Sequence, residues 1–382
     1  MRDITNKSLL INGLQLNEEN SGVQYYTNNL LDSLDKKVNN FKISVLISNN
    51  NFSKSKTYKN IQLQTVNFNS GTRIKRIFFE NFELPKLFRR KQFNVYHATN
   101  YVLPYYFNSL NILTVHDLIA LDFPALCKQK SAIYFNLLLA RSIKKARHII
   151  VPSITVKNDI LARFNIDPDK INVIYHGINQ NFRKINDKKI LDNIKLKYAL
   201  PEKYILFVGN IEPKKNLQRL INAFYLLRKT SELKHKLIIV GKKGWKYRPV
   251  FKTINDLKIK NEIIFTGYIP EKDLPSVYSL ADLFVFPSLY EGFGIPPLEA
   301  MACEVPVIVS NRGALPEITG GNCPQINPYS VHDLKEAILR LLTDKELREK
   351  NVKQGKKWAN NFNWEKAANE TLKVYEKTLN TK

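Results

Sequence analysis

Residues 283–310 read LFVFPSLYEGFGIPPLEAMACEVPVIVS. An apolar run suited to a buried strand enters a turn rich in glycine and proline, a helix of small residues follows from about Pro297, and a second apolar run, VPVIVS, closes the unit. Where a strand feeds a helix through glycines, the backbone can approach a ligand closely and the helix N-terminus favours an anion. Pro296 and Pro297 suit a first helical turn, whose N–H groups lack intrahelical partners in any case. Glu291 then lies on the loop and Glu299 within the helix, so both acids can face one pocket from different elements. A carboxylate there can accept paired hydrogen bonds from the vicinal hydroxyls of a sugar or ribose, and the amides of Gly292 to Gly294 can donate to developing negative charge. A plainer reading, acids that favour the dipole of a helix start, fits the same residues.

Outward from this stretch, similar runs recur: KISVLIS, FNVYHAT, NILTVHD, HIIVPS, INVIYHG, YILFVGN, KLIIVGK and EIIFTGY. Nearly continuous apolar runs belong to strands buried on both faces, which predicts parallel sheets covered by helices and an α/β chain throughout. With 382 residues, two doubly wound domains are expected. The seam falls between about residues 175 and 200, where the chain turns polar and charged before YILFVGN restarts the alternation. Ligands of such folds sit outside the carboxyl ends of the strands, so the cleft between the two domains is the expected site. The final stretch, FNWEKAANETLKVYEKTL, has apolar residues at helical spacing.

The formal charge of +25, from 59 Lys and Arg against 34 Asp and Glu, attracts polyanions: nucleic acid, an anionic membrane or phosphorylated small molecules. A compositional bias of the source toward Lys, Asn and Ile accounts for the excess equally simply. Three widely spaced cysteines, Cys127, Cys303 and Cys323, suggest a reducing cytoplasm and neither a disulfide frame nor a zinc site. No stretch of about 18 uncharged apolar residues predicts a transmembrane helix. The N-terminal apolar run is too short and interrupted for a secretory signal.

The string YEGFGIPPLEAMACEVPVIVSNRGALPEITGG, residues 290–321, resembles the donor-site signature of retaining, nucleotide-sugar-dependent glycosyltransferases of the GT-B fold, marked by Glu, seven residues, Glu. FVGNIEPKKNLQRLINAF, IIVGKKGW, IIFTGYIPEKDLPSVYSLADLFVFPS and FNWEKAANETLKVYE follow in that family's order, so the resemblance covers nearly the whole chain. It implies an acceptor domain over residues 1–178, a donor domain over 179–360 and a C-terminal helix, 361–382, that packs back on the first domain. Glu299 would bind the ribose hydroxyls, and Glu291 the transferred sugar and the charge developing on it. The amides of Phe293, Gly294 and Ile295 would face sugar and phosphates. Gly209 would close a strand, Lys215 would match the family's lysine on the diphosphate, and Lys214 stands where arginine is frequent. Asn210 departs from the arginine that some members carry after the glycine, which weakens one expected phosphate contact. Gly22 would lie where the first strand meets a helix, near the donor. His116 would stand near the donor sugar as a catalytic residue with Glu291 and Lys215, and His97 and Asp117 would line the acceptor side. Pro152, Ser153 and His176 are read as mainly structural pieces.

In the reaction that the resemblance implies, the nucleoside diphosphate leaves on the face that the acceptor hydroxyl attacks, without a protein nucleophile and without a metal. Domain closure would exclude water. The acceptor expected is a glycan or a polyprenyl-diphosphate-linked sugar. RIKRIFFENFELPKLFRRK, residues 73–91, interleaves seven basic residues and four phenylalanines with two acids, which suits an anionic membrane. A basic helix with phenylalanines packed inward fits it too. The bacterial members most similar in these motifs build surface polysaccharides such as lipopolysaccharide O-antigen, many of them from GDP-mannose. The chain is therefore expected in the cytoplasm, peripheral on the inner face of the plasma membrane. Two rivals are a nucleic-acid or polyanion-binding α/β protein, for which no motif is visible, and an epimerase of nucleotide sugars with the same fold.

Overall fold

The computed structural model describes residues 7–16, 22–37, 40–48, 57–66, 73–126 and 138–380, with side chains from Lys75 onward in the helix that starts at Arg73. Cys127 lies outside the described residues. The chain forms two compact units, residues 1–177 with 364–382, and residues 178–363.

The first unit is built on seven parallel strands: β1 (Lys7–Asn12), β2 (Phe41–Ser48), β3 (Ile61–Val66), β4 (Val95–Ala98), β5 (Leu110–Thr114), β6 (His148–Val151) and β7 (Ile171–Val173), in the spatial order 3-2-1-4-5-6-7. Strand alternation splits its core into two layers. Leu9, Ile11, Ile43 and Val45 pack with Tyr26, Leu30 and Leu34 of the helix Gly22–Asp35 and with Trp364, Ala368 and Tyr375 of the helix Trp364–Asn380. Leu10, Leu46, Tyr96, Leu113 and Ile149 point the other way, onto Leu84, Phe88, Ile143, Val156 and Ile160. The last helix of the chain thus completes a layer of the first unit.

The second unit has six parallel strands, β8 (Tyr204–Val208), β9 (Lys236–Val240), β10 (Ile263–Gly267), β11 (Leu283–Phe286), β12 (Val307–Ser310) and β13 (Gln325–Ile326), in the order 10-9-8-11-12-13. The central strands β8, β11 and β12 are buried along their whole length, while β10 and β13 at the edges are only partly so. This is why the central strands read as unbroken apolar runs. The polar stretch expected as a seam contains the helix Lys188–Tyr198, which belongs to the second unit: Lys197 Nζ and Tyr198 Oη both donate to Asp273 Oδ2, each at 2.6 Å.

Both sheets reverse their order beside the first strand, between β1 and β4 and between β8 and β11. At such a point neighbouring connections leave in opposite directions and open a crevice at the carboxyl ends of the strands.

Candidate functional site

In the second unit the chain leaves β8 through Gly209 and the exposed Asn210, makes a short 3-10 turn at Pro213–Lys215, and enters the helix Leu217–Thr230. The loop after β11 runs from Pro287 to Gly294 and enters the helix Ile295–Ala302, two residues earlier than the sequence pattern predicts. These loops emerge side by side at the switch point and are stitched together. Leu289 N donates to Lys214 O at 2.7 Å, and Asn216 Nδ2 donates to Pro287 O at 3.0 Å and to Pro328 O at 2.7 Å. Asn216 adopts a left-handed conformation, φ 60°, and its Oδ1 accepts from Arg219 Nη1 at 2.9 Å. Sequence reading missed Asn216, although an asparagine between a short turn and a helix is a signal for the left-handed region.

Lys215 Nζ donates to Glu291 Oε1 at 2.6 Å and lies 4.6 Å from the centroid of the Phe286 ring; Lys214 Nζ stands 3.6 Å from Glu291 Oε2. All three side chains are largely shielded from water. Burial alone would push the Glu291 carboxyl up, but Lys214 and Lys215 override it and hold the group at about 2, so it is ionised. Two ammonium groups against one carboxylate leave the cluster net cationic at the crevice.

The Glu291 backbone is fixed from the far side: Ala314 N donates to Glu291 O at 2.9 Å, and Gly313, at φ 56°, lies so close that a Cβ there would come within 2.5 Å of Glu291 O. Gly294 has φ 109°, and a Cβ on it would meet Leu315 Cδ2 at 2.6 Å. Only glycine serves at either position. Phe293 is buried, edge-on to Phe362 with ring centroids 6.0 Å apart. Ile295 opens the helix, and the prolines after it remove two of the first-turn donors.

Glu299, buried within that helix, has another partner: Tyr278 Oη donates to its Oε2 at 2.9 Å. Burial pushes its carboxyl up, the Tyr278 hydrogen bond pulls part of the way back, the Glu271 charge adds to the rise, and the result is about 8. The two acids of the motif therefore differ, Glu291 ionised against lysines and Glu299 protonated near neutral pH.

The first unit holds the remaining candidates. His116 Nε2 donates to Thr99 O at 2.9 Å, which makes Nδ1 the acceptor of a neutral ring. Burial lowers its basicity. Tyr26 and Tyr101 stand edge-on to the ring, with centroids 4.9 and 5.4 Å away, and His176, 5.8 Å away, stacks on Trp364. Asp117 Oδ1 accepts from Ile119 N at 3.2 Å. His97 sits differently: it is 1% exposed, Nδ1 pairs with Tyr375 Oη and Nε2 with Thr114 Oγ1, both at 2.8 Å, and burial together with His116 lowers it to about 3. Both ring nitrogens are thus spent inside the core. Gly22 opens its helix on the surface, where a Cβ would have nothing within 4 Å, whereas a Cβ on Gly13, directly after β1, would meet Val45 Cγ1 at 2.7 Å. The glycine that the first strand requires is therefore Gly13, which sequence reading passed over.

The chain does carry one Asp-x-Asp, Asp167-Pro168-Asp169, although the sequence reading counted none; Asp167 Oδ1 accepts from Asp169 N at 2.9 Å in a short turn. Cys303 and Cys323 are buried free thiols. Among the described residues no group of three or more His, Cys, Asp or Glu side chains could hold a metal, and no helix is long and apolar enough to cross a membrane.

Residues 191–358 match the family model Glycosyl transferases group 1, and residues 20–182 match Glycosyltransferase Family 4. O-antigen chain mannosyltransferase B of Escherichia coli is 31% identical over 282 residues, which cover 74% of each chain. The serotype-specific mannosyltransferase WbdA of Escherichia coli is 31% identical over 269 residues, 65% of this chain but only 32% of WbdA. The structure of HepE from Anabaena in complex with UDP and glucose superposes with a TM-score of 0.76, covering 97% of this chain and 100% of HepE at 16% identity.

Proposed function

This chain belongs to the glycosyltransferases of group 1 and family 4, and on that premise we propose that it transfers a hexose, mannose in the first instance, from a nucleoside diphosphate sugar to a hydroxyl of a glycan or polyprenyl-diphosphate-linked acceptor. Its fold is GT-B. Membership in this family leaves the polyanion-binding and epimerase readings without support.

The observation that carries the proposal is the Lys214–Glu291–Lys215 cluster at the β8/β11 switch point, beside a loop whose conformation demands glycine. A net cationic, shielded pair of ammonium groups suits a leaving diphosphate. Glu291, ionised and held from both sides, suits the positive charge that develops on the sugar ring. Glu299, seated deeper, suits paired hydroxyls of the ribose once it ionises. The acceptor oxygen bonds to the anomeric carbon on the face from which the diphosphate departs, and the acceptor proton passes to the leaving phosphate oxygen. The products are a nucleoside diphosphate and a glycoside of retained configuration. The lysines carry the charge in this scheme, so no divalent metal takes part.

Mannose follows from the names of the two Escherichia coli relatives, GDP from the motif resemblance, and a surface polysaccharide such as O-antigen is the product class that the first of those names suggests. HepE, solved with UDP and glucose, keeps UDP-hexoses among the donors to be tested. The same reading sets the transfer in the cytoplasm. The motif resemblance gives His116, whose Nδ1 is an acceptor, a role toward the donor sugar, and Asp117 one on the acceptor side.

The test is thermal unfolding of the full chain with GDP, UDP and dTDP, then with the matching sugar nucleotides. One diphosphate at about 100 times its dissociation constant should add about 2.7 kcal/mol of stability, and Glu299→Ala should abolish the gain. Equal indifference to all three diphosphates, and to their sugars, would sink the donor reading.

A further inference from the structure

We propose that the second unit carries a further site for a phosphate or diphosphate group, in which Arg219 and Arg312, both braced on the ring of Tyr329, hold the anion. The site stands without the transfer reading; only the assignment of its ligand to the acceptor rests on that reading.

The three residues come from separate elements. Arg219 lies in the first turn of the helix Leu217–Thr230, Arg312 in the loop after β12, and Tyr329 in the loop after β13, just ahead of the helix Val331–Thr343. The guanidinium carbons of Arg219 and Arg312 stand 5.3 and 5.8 Å from the Tyr329 ring centroid. Two like charges gathered at one ring repel each other, and the negative face of the ring offsets that only in part. Other cations of this unit stand against acids: Lys197 against Asp273, Lys215 against Glu291, Lys356 against Glu304. Among the described residues neither arginine pairs with a carboxylate, including that of Asp333, the acid nearest Tyr329 in the chain.

The donors are open and their base is fixed. The Arg312 side chain makes no hydrogen bond among the described residues, and Arg219 spends only Nη1, which donates to Asn216 Oδ1 at 2.9 Å. The Tyr329 ring is 50% exposed, yet Tyr329 N donates to Asn327 Oδ1 at 3.0 Å and Pro328 O accepts from Asn216 Nδ2 at 2.7 Å. A guanidinium held against a ring loses little further freedom when it binds. Planar forks without a carboxylate match the paired oxygens of a phosphate. A neutral glycan would call for carboxylate or amide acceptors as well, and the sign of the charge rejects a cation.

Arg312 directly precedes Gly313, which lies against Glu291 O, and Asn216 directly follows Lys215. The arginine site therefore borders the Lys214–Glu291–Lys215 cluster without sharing a side chain with it. A phosphorylated molecule drawn to this edge meets two cationic positions, one shielded and matched to Glu291, the other open and without a counter-ion. Its diphosphate can belong to a prenyl-diphosphate-linked acceptor or be free in solution.

The test is calorimetric titration of the full chain with inorganic pyrophosphate at moderate salt. Two equivalents are expected, one at the lysine cluster and one at the arginines. Arg312→Gln, at an exposed position, should leave the fold intact and weaken one equivalent by about tenfold or more, and adding Arg219→Gln should remove it. Lys215→Met should lose the other equivalent and spare this one. Lys350→Gln with Lys373→Gln, at exposed positions on the helices Lys345–Ala359 and Trp364–Asn380, removes the same charge as the double arginine variant and should leave both equivalents unchanged. If the donor reading fails, a single equivalent remains, sensitive to Arg312 and indifferent to Lys215. A short prenyl diphosphate then identifies the source. Displacement of pyrophosphate about tenfold better than by pyrophosphate itself assigns the site to a lipid-linked acceptor, and equal displacement assigns it to free diphosphate. The proposal is overturned if wild type binds no pyrophosphate, if both arginine variants bind it as wild type does, or if the lysine control weakens binding as much as they do.

Discussion

Lys215 Nζ and Glu291 Oε1 meet at 2.6 Å although 76 residues separate them, because β8 and β11 are neighbours in the sheet and their following loops leave the same edge. The pair joins the two loops that form the crevice, so its loss should be felt in both stability and turnover.

Lys215→Met leaves a buried carboxylate with only Lys214, 3.6 Å away, to balance it. A loss of about 2–3 kcal/mol in urea unfolding is expected, below the value for a fully buried broken pair because the side chains keep slight access to water. Turnover with the donor sugar should fall about 100-fold or more. Glu291→Gln should cost turnover as much, since it leaves the lysines without the charge that positions them. A Lys215→Met enzyme with wild-type kcat would remove the lysine from the reaction.

Glu299 should make stability fall as pH rises. Its folded value is about 8, whereas an unfolded glutamate titrates at about 4.3. Between these values the folded chain keeps a proton that the unfolded chain has lost, so stability drops by up to about 1.4 kcal/mol per pH unit and levels off above about pH 8. Glu291 acts in the opposite sense: its contribution is complete above the unfolded value and is lost as pH falls toward about 2. Urea unfolding at mildly acidic and mildly alkaline pH should show Glu299→Gln gaining on wild type as pH rises. If the donor's hydroxyls bind the ionised form, calorimetric titrations in buffers of different ionisation heat should show proton release on binding, and a buffer-independent heat would contradict it.

Gly313→Ala and Gly22→Ala should differ sharply. The first places a Cβ 2.5 Å from Glu291 O at φ 56°, so it must strain the backbone and displace Glu291. About 1–3 kcal/mol of stability and most of the activity should go together. Gly22→Ala meets nothing within 4 Å and opens a helix, so it should be neutral or stabilising by about 0.5 kcal/mol. Lost turnover in a fully stable Gly22→Ala chain would show that ligand, and not packing, requires that glycine.

The strands easiest to read in the sequence were those in the middle of the sheets. β8, β11 and β12 are covered on both faces and could only be apolar throughout. β3, at an edge, alternates as IQLQTV with mixed exposure, and β13 is two residues long; neither gives a window with a clear period. In the helical stretch from Arg73 the composition announced basic and aromatic residues, but not which phenylalanines point out. That depends on the core available beneath Phe88 and Phe79 and on Tyr105 and Tyr106 from another loop.

The sequence by itself determined the α/β class, the parallel strands, and the strand, glycine turn and helix around Glu291 and Glu299, because burial and backbone geometry restrict which residues can stand there. The tertiary structure alone decided which charge each acid meets, that Glu291 is ionised against two lysines and Glu299 protonated beside Tyr278. It also decided that His97, paired with Tyr375 across 278 residues of chain, is a core residue, while His116 keeps an acceptor nitrogen. Ionisation and hydrogen bonding depend on neighbours within a few ångströms, and in a parallel sheet those neighbours are set by strand order, which local sequence does not encode.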